Sequence, residues 1–338
     1  MIGRSEQQPV NIEFKVALAS AKELGEIPEN GAIAIRGCVA KCGKVLTNAE
    51  VISKDRYRQL KNECEEKKVL LSGKTFVPDR SFGSADAQEK MMLHEMGACA
   101  KAAYPSEALP PGYVPLSRSD WNELVATNCV ASNVYSDDGY FVAGQGIRAR
   151  LMKKGPRCVV AFSGCDLSNG AFEHGMKDLM SCVNSLYKGD SDAQFRIALD
   201  LCERVVRWAL GQVWIVGHSL GGCLTTYVTL KLPEGEGRIR SATFNGFGLS
   251  DRIWQKLPED AYGIAARRNV NVYCTKDPVY NCNAKTKWLW ADTRHFGRAY
   301  YLEYDEFAKT NHIDAMAYFH GIDGLVEQMD RRRGAPGL

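Results

Sequence analysis

Ser219 is the residue around which the sequence predicts chemistry. It lies in Gly217-His218-Ser219-Leu220-Gly221, a segment that fits the pattern Gly-x-Ser-x-Gly and is called the elbow below. A short apolar run precedes the elbow and helix-forming residues follow it, so the pattern predicts a strand, a sharp turn and a helix. Such a turn raises the serine hydroxyl above the edge of a sheet. The sequence therefore predicts a nucleophilic serine. The alternative is a tight turn whose serine has no chemical role.

A serine that attacks a carbonyl group needs backbone N–H groups that stabilise the negative oxygen formed in the reaction. One candidate is the N–H of Leu220, at the positive end of the predicted helix. A second is expected from the loop after an earlier strand candidate at 158–162, where Ser163, Gly164 and Cys165 follow. By spacing alone, an ordinary exit from a strand explains this loop equally well.

The serine also needs a base, and the base needs an acid that orients it. In proteins with this elbow the chain order is serine, acid, histidine. Asp277 follows a strand candidate and precedes Pro278, so we expect it on a loop at the edge of the sheet that carries Ser219. Asp251 and then Asp292 are the alternatives. Any of these carboxylates can also be an ordinary solvated loop residue.

Three histidines after Asp277 are candidates for the base. We favour His312, at the predicted start of the last helix, because that position can return to the edge of the sheet. His295, in a loop before the last strand candidate, is second, and His320, predicted to lie inside the helix, is third. His218 adjoins Ser219 and should point away from it. Each histidine can also be a packed or surface residue without a role.

The elements that must position these residues alternate along the chain. Three strand candidates separated by glycines predict an antiparallel start to a sheet. Later strand candidates alternate with amphipathic helices, which predicts an α/β sheet with parallel pairing around the elbow. The strand candidates lie at 140–142, 147–152, 158–162, 213–216, 241–244, 270–274 and 299–304, and the helix candidates at 87–104, 194–210 and 311–329.

Residues 1–85 differ from the rest of the chain. Glycine, proline and charged residues interrupt short strand candidates such as 32–35, and residues 81–86 are typical of a linker. We therefore expect an accessory or targeting region at 1–85, one that can bind a chaperone, and a main domain at 86–338.

Composition limits the function classes. A net charge of +3 gives no case for nucleic-acid binding, and no apolar run is long enough to span a bilayer. The N-terminus lacks the apolar core of a signal peptide, and the twelve scattered cysteines suggest reduced, buried thiols. We therefore expect a protein that is cytoplasmic, or exported without a Sec signal. No metal or cofactor is expected, since the Cys38 and Cys42 pair lacks further ligands nearby.

Four segments resemble the class 3 lipase family of α/β-hydrolases, over about residues 87–329. They are Val159-Val-Ala-Phe-Ser-Gly-Cys165, Val216-Gly-His-Ser-Leu-Gly-Gly222, Ala242-Thr-Phe-Asn-Gly-Phe-Gly248 together with Asp277-Pro-Val279, and Asn311-His-Ile-Asp314. The resemblance implies an α/β-hydrolase fold with a mixed, mostly parallel central sheet and a small N-terminal accessory region. It also implies site residues: Ser219 as nucleophile, Asp277 as acid, His312 as base, and the N–H groups of Leu220 and Cys165 as the oxyanion hole.

The chain departs from that family at the early strand. The family usually has arginine before the glycine and serine or threonine after it, whereas here the residues are Ser163 and Cys165. Any help from Cys165 must therefore come from its backbone N–H. The stretch between Cys165 and Ser219 also lacks a His-Gly-Phe feature of secreted fungal members. It is more similar to bacterial relatives, which include phospholipase-type toxins and injected effectors.

This resemblance implies a lipase or phospholipase that cleaves carboxylic esters of lipids through an acyl-enzyme, with a transient membrane surface as partner. It also implies a secretion chaperone or an immunity protein as candidate partners. Two alternatives stay open. The same three residues can serve a thioesterase, a peptidase or an acyltransferase, or the fold can belong to a non-catalytic binding protein.

Overall fold

The structure is a computed structural model. It describes residues 17–18, 33–36, 50–52, 79–125, 134–143, 146–164, 192–233, 237–250, 253, 256–277, 279–280, 293–304 and 318–333. The chain divides into two compact units, Met1–Phe76 and Val77–Leu338.

The first unit contains a three-stranded antiparallel sheet. Its strands are β1 (Ala17–Leu18), β2 (Ile33–Arg36) and β3 (Glu50–Ile52), in that spatial order. The short strand predicted at 32–35 is therefore confirmed as β2. The expected accessory or targeting role of this part of the chain stays a prediction.

The second unit contains strands and helices in alternation. In chain order they are β4 (Arg80–Ser81), a 3-10 helix (Phe82–Ser84), α1 (Ala87–Lys101), β5 (Val114–Pro115), α2 (Arg118–Val125), β6 (Val134–Tyr135), β7 (Tyr140–Ala143), β8 (Ile147–Lys154), β9 (Arg157–Phe162), α3 (Asp192–Trp208), β10 (Val213–His218), α4 (Leu220–Lys231), β11 (Ile239–Phe244), β12 (Leu249–Ser250), α5 (Ala261–Arg268), β13 (Asn269–Cys274), β14 (Thr293–Arg294), β15 (Arg298–Leu302) and α6 (Ile322–Arg333).

Most of these strands form one mixed sheet with the order β4-β15-β13-β11-β10-β9-β8-β7-β6, and β5 pairs with β8. The pairs from β4 to β9 are parallel, and those from β9 to β6 are antiparallel. This arrangement confirms both the antiparallel start and the parallel pairing predicted around the elbow. Because β10 lies in the parallel part, its carboxyl end shares one edge of the sheet with the ends of β9, β11 and β13.

The central strand β10 is buried on both faces of the sheet. All of its residues are buried, and its apolar run is continuous, as expected for a strand packed on two sides. Ile215 packs into a cluster with Phe195 of α3, whereas Val216 packs into a second cluster with Met96 of α1. The helices therefore form two layers, one on each face of the sheet. Together with the strand–turn–helix at the elbow, this is an α/β-hydrolase fold.

Residues 81–86 differ from their predicted linker role. Ser81 belongs to β4, which pairs in parallel with β15, and the side chain of Phe82 is fully buried. The ring of Phe82 meets Tyr300 edge to face, with ring centroids 6.3 Å apart. Asp86 then accepts a hydrogen bond from the N–H of Glu89 and so caps α1. The small polar residues suggested a linker, but burial of one aromatic ring places this segment in the second unit.

The last predicted helix also differs at its start. Residues 318–320 are helical, Gly321 is not, and α6 begins at Ile322. His320 therefore lies at a break in the helix rather than inside it. The part of the prediction at 311–317 lies outside the described residues. No helix among the described residues is long and apolar enough to cross a membrane.

A pair of leucine substitutions tests this core. Leu151 of β8 is 1% exposed and packs in the cluster that contains Phe162, whereas Leu210 is 97% exposed. Leu151→Ala should lower the free energy of unfolding by about 2–5 kcal/mol, because it removes buried methyl groups and leaves a cavity. Leu210→Ala, the control, should change it by less than about 0.5 kcal/mol. The shift in urea midpoint measures both, and equal shifts would contradict this placement of β8.

Candidate functional site

Ser219 forms the sharp turn between β10 and α4. Its backbone angles are φ 56° and ψ −123°, in a region that residues other than glycine rarely adopt. The N–H of Ser219 donates to the carbonyl of Phe244, and its own carbonyl accepts from the N–H groups of Gly222 and Phe247 at 3.0 and 3.1 Å. These hydrogen bonds hold the strained turn in place. The predicted strand, turn and helix are confirmed.

The glycines of the elbow are required by close backbone contacts. A Cβ atom on Gly217 would lie 2.2 Å from the carbonyl oxygen of Gly221, and a Cβ atom on Gly221 would lie 2.2 Å from the carbonyl oxygen of Phe162. Both distances are far below a van der Waals contact. The exit of β9 also runs beside the serine, because a Cβ atom on Gly164 would lie 2.7 Å from the Cβ atom of Ser219.

The imidazole ring of His320 lies between Ser219 and Asp277. Its Nε2 atom is 2.9 Å from Oγ of Ser219, and its Nδ1 atom is 3.1 Å from Oδ1 of Asp277. All three side chains are buried. An imidazole with its proton on Nδ1 donates to the carboxylate and accepts the serine hydroxyl proton at Nε2. This is the geometry that a nucleophile, its base and an orienting acid require.

The structure thus brings the least favoured of the three candidate histidines, His320, to Ser219 and Asp277. His312, the favoured base, lies outside the described residues, so its role stays a prediction. His295, the second choice, instead stacks on Tyr280 and donates from Nε2 to the carbonyl of that residue at 3.2 Å. The apolar periodicity of the sequence predicts His320 inside a helix, which makes it the least favoured candidate by sequence alone. In the structure the helix that holds residues 318–320 is interrupted at Gly321, directly after His320.

Asp277 lies where the sequence predicted an acid, on the turn after β13. Besides His320, its carboxylate accepts from the N–H groups of Val279 and Tyr280, at 3.0 and 3.2 Å. The carboxylate is fully buried, so these donors offset much of the cost of removing it from water. The alternatives Asp251 and Asp292 lie outside the described residues.

His218 is a buried residue of the elbow that sequence reasoning left without a role. Its Nε2 atom donates to the carbonyl of His320 at 2.7 Å, and its Nδ1 atom accepts from the hydroxyl of Tyr104 at 2.6 Å. That hydroxyl accepts in turn from the N–H of Gly164 at 3.0 Å. These hydrogen bonds connect the end of β9, the elbow and the backbone of His320.

The charge state of His218 follows from its surroundings. The pKa of His218 is lowered to about 3, chiefly by burial and also by the nearby ring of His320, and the hydrogen bond to the carbonyl of His320 only partly opposes these two effects. The ring is therefore neutral near pH 7. A neutral ring that donates from Nε2 must accept at Nδ1, which matches its contact with Tyr104.

Of the two predicted oxyanion donors, the structure describes one. Leu220 is the first residue of α4, so its N–H has no partner within the helix and lies next to Ser219. Cys165 lies outside the described residues, and its N–H stays a prediction. Gly164, directly before it in the sequence, lies beside Ser219, so the chain reaches the site just after the end of β9.

The described cysteines are buried thiols rather than an evident metal site. Cys158, Cys223 and Cys274 are free and buried, as their apolar neighbours in the sequence predicted, and burial raises the pKa of Cys223 to about 12. Among the residues that the structure describes, no group of three or more histidine, cysteine or acidic side chains is placed to hold a metal ion.

The fold and the elbow define a protein of the α/β-hydrolase class. A family model described as Phospholipase-like, the Tle-like phospholipase domain, matches residues 95–279, which is more than half of the chain. The chain therefore belongs to this family. The matched region contains Ser219 and Asp277 and ends before His320.

Solved structures with a similar fold include several fungal lipases. A lipase from Rhizopus microsporus var. chinensis has a TM-score of 0.39 and 14% identity, covering 71% of this chain and 86% of the lipase. The Lip2 lipase from Yarrowia lipolytica has a TM-score of 0.39 and 12% identity, covering 64% of this chain and 79% of the lipase. No match to a curated protein was found by sequence comparison.

The neutral state of His218 predicts a pH dependence of stability. Between the folded pKa of about 3 and the unfolded value near 6.5, the unfolded chain binds more protons, so stability falls as the pH falls through this range. His218→Gln keeps a side-chain N–H but cannot titrate there. Its unfolding free energy should depend less on pH, by up to about 1.4 kcal/mol per pH unit. Urea unfolding at pH 4.5, 5.5 and 6.5 measures this, and equal slopes would contradict a neutral buried ring.

Proposed function

We propose that this chain is a serine hydrolase that cleaves carboxylic esters of lipids, as a lipase or a phospholipase of the A type. The observation that carries the proposal is the buried set of hydrogen bonds from Ser219 to His320 and from His320 to Asp277. The strained elbow supports the role of Ser219 as nucleophile, and membership in a phospholipase-like family supports a lipid substrate.

In the first half of the reaction, Oγ of Ser219 attacks the ester carbonyl carbon while Nε2 of His320 takes the hydroxyl proton. Asp277 accepts from Nδ1 of the ring, which keeps Nε2 free as the base and stabilises the imidazolium that forms. The N–H of Leu220, with that of Cys165 as the second donor, stabilises the tetrahedral oxyanion.

In the second half, the carbon–oxygen bond to the leaving alcohol breaks, and His320 returns its proton to that alcohol. The acyl group then remains on Ser219. Water attacks this acyl-enzyme with His320 again taking a proton, and the fatty acid leaves as Ser219 recovers its hydrogen. In this scheme the imidazole of His320 takes or returns the proton at every step.

The proposed substrate is a lipid or phospholipid, which the protein would bind at a membrane surface. The expected secretion chaperone or immunity partner remains a prediction from the resemblance, as does export without a Sec signal. A thioesterase, peptidase or acyltransferase using the same three residues is an outcome that the substrate experiment below distinguishes.

Two histidine variants test the choice of base. His320→Ala should lower kcat/KM for p-nitrophenyl butyrate by on the order of 1,000-fold or more, because Ser219 loses the group that accepts its proton. His312→Ala, the matched control, should stay within about threefold. Ser219→Ala should abolish turnover and labelling by a fluorophosphonate probe. If His312→Ala is inactive while His320→Ala keeps the wild-type rate, the base is assigned wrongly.

The substrate class is tested on lipid vesicles. Wild-type protein should release fatty acid from phosphatidylcholine and phosphatidylglycerol vesicles, and Ser219→Ala should release none, because the acyl-enzyme cannot form. Parallel assays use an acyl-coenzyme A thioester, a peptide and an added alcohol acceptor. A higher kcat/KM on the thioester or the peptide, or transfer to the alcohol in place of hydrolysis, would contradict a lipid-ester hydrolase.

A further inference from the structure

Asn245 is a buried residue directly after β11, at the edge of the sheet that carries the site. Its backbone has φ 44°, in the left-handed region, and its N–H donates to the carbonyl of Val272 at 2.9 Å. Asparagine adopts this conformation more readily than most residues, but glycine adopts it at the least cost. Because glycine would suit this backbone better, we expect the side chain of the asparagine to make contacts that glycine cannot.

The side-chain amide of Asn245 joins two segments of the chain. Its Nδ2 atom donates to the carbonyls of Phe319 and His320, at 2.9 and 3.1 Å. Its Oδ1 atom accepts from the N–H of Cys274 at 2.9 Å. Both ends of the amide are therefore used, each by backbone atoms.

These two segments carry the proposed base and the proposed acid. Cys274 ends β13, and its carbonyl accepts from the N–H of Asp277 at 3.0 Å. On the other side, the carbonyl of His320 also accepts from Nε2 of His218. The amide of Asn245 therefore spans the distance between the turn that bears Asp277 and the backbone that bears the imidazole.

We propose that Asn245 is a positioning residue, whose amide holds the backbone of His320 at the distance from Asp277 that the imidazole requires. This inference rests on the proposed function. Asn245 acts through the backbone, with no hydrogen bond to the hydroxyl of Ser219. Without its side chain, the carbonyl of His320 keeps the donor from His218, whereas the carbonyl of Phe319 and the N–H of Cys274 lose their hydrogen bonds to the amide of Asn245.

The chain offers a matched control in Asn269, at the opposite end of β13. Asn269 is also fully buried, its Nδ2 atom donates to the carbonyl of Phe296 at 2.6 Å, and its Oδ1 atom accepts from the hydroxyl of Ser241 at 2.7 Å. It thus has the same chemistry and burial as Asn245 but lies away from the edge that carries Ser219. Loss of the side-chain amide of Asn269 should therefore destabilise the fold without displacing His320 from Asp277.

The test compares Asn245→Gly, Asn245→Asp and Asn269→Asp in the full chain. Glycine keeps the left-handed backbone and removes the amide, whereas aspartate keeps the shape and replaces the N–H donors with a carboxylate facing two carbonyls. For p-nitrophenyl butyrate, both Asn245 variants should lower kcat by about 10- to 100-fold with KM within about threefold, since a small displacement of the base has effects of this size. The rate of fluorophosphonate labelling of Ser219 should fall in parallel.

Asn269→Asp should lose thermal stability while its kcat stays within about twofold of wild type. The positioning role is overturned if Asn245→Gly keeps the wild-type kcat and labelling rate, or if Asn269→Asp loses as much kcat as the Asn245 variants at a similar melting temperature. Failure of the proposed function is a separate result. In that case wild-type protein neither labels at Ser219 nor hydrolyses the ester, and the role of Asn245 falls with it.

Discussion

The buried contact between the imidazole of His320 and the carboxylate of Asp277 is the interaction on which the rest of the site depends. Its two groups come from segments 43 residues apart, and both side chains are buried from solvent. A buried carboxylate is tolerated only where several donors meet it, and here two backbone N–H groups join the ring. The end of β13 and the start of α6 are therefore constrained together.

The elbow imposes a second constraint, which connects the site to the core. Gly217 and Gly221 have no Cβ atom, so β10, α4 and the end of β9 can approach more closely than any other residue would allow. The unfavourable conformation of Ser219 persists because hydrogen bonds from neighbouring strands and loops hold it. The strained backbone of Ser219 and the close contacts of the two glycines arise together, because a turn sharp enough to raise the serine above the sheet brings the strand and the helix close to each other.

A polar network surrounds these residues, although the layers below are apolar. Tyr104, neutral His218 and Asn245 lie at the edge of the sheet, and each donates to a neighbouring group at the site. Because His218 and Asn245 donate to the same carbonyl of His320, both lone pairs of that oxygen have partners. In this arrangement the backbone of His320, the proposed base, is fixed while its ring keeps its contacts with Ser219 and Asp277. Such support around reacting groups is how an active site keeps its geometry.

Sequence alone determined what is encoded by neighbouring residues: the elbow at Ser219, the alternation that predicts an α/β sheet, and an acid on the turn after β13. Tertiary structure alone decided that His320 meets Ser219 from 101 positions away, that Phe82 belongs to the core, and that Asn245 joins two segments. Local patterns report the preference of a short segment, and a break at one glycine does not alter a helical periodicity. Which histidine reaches the serine depends on where the helix is interrupted before α6 begins, and that is a property of the whole fold.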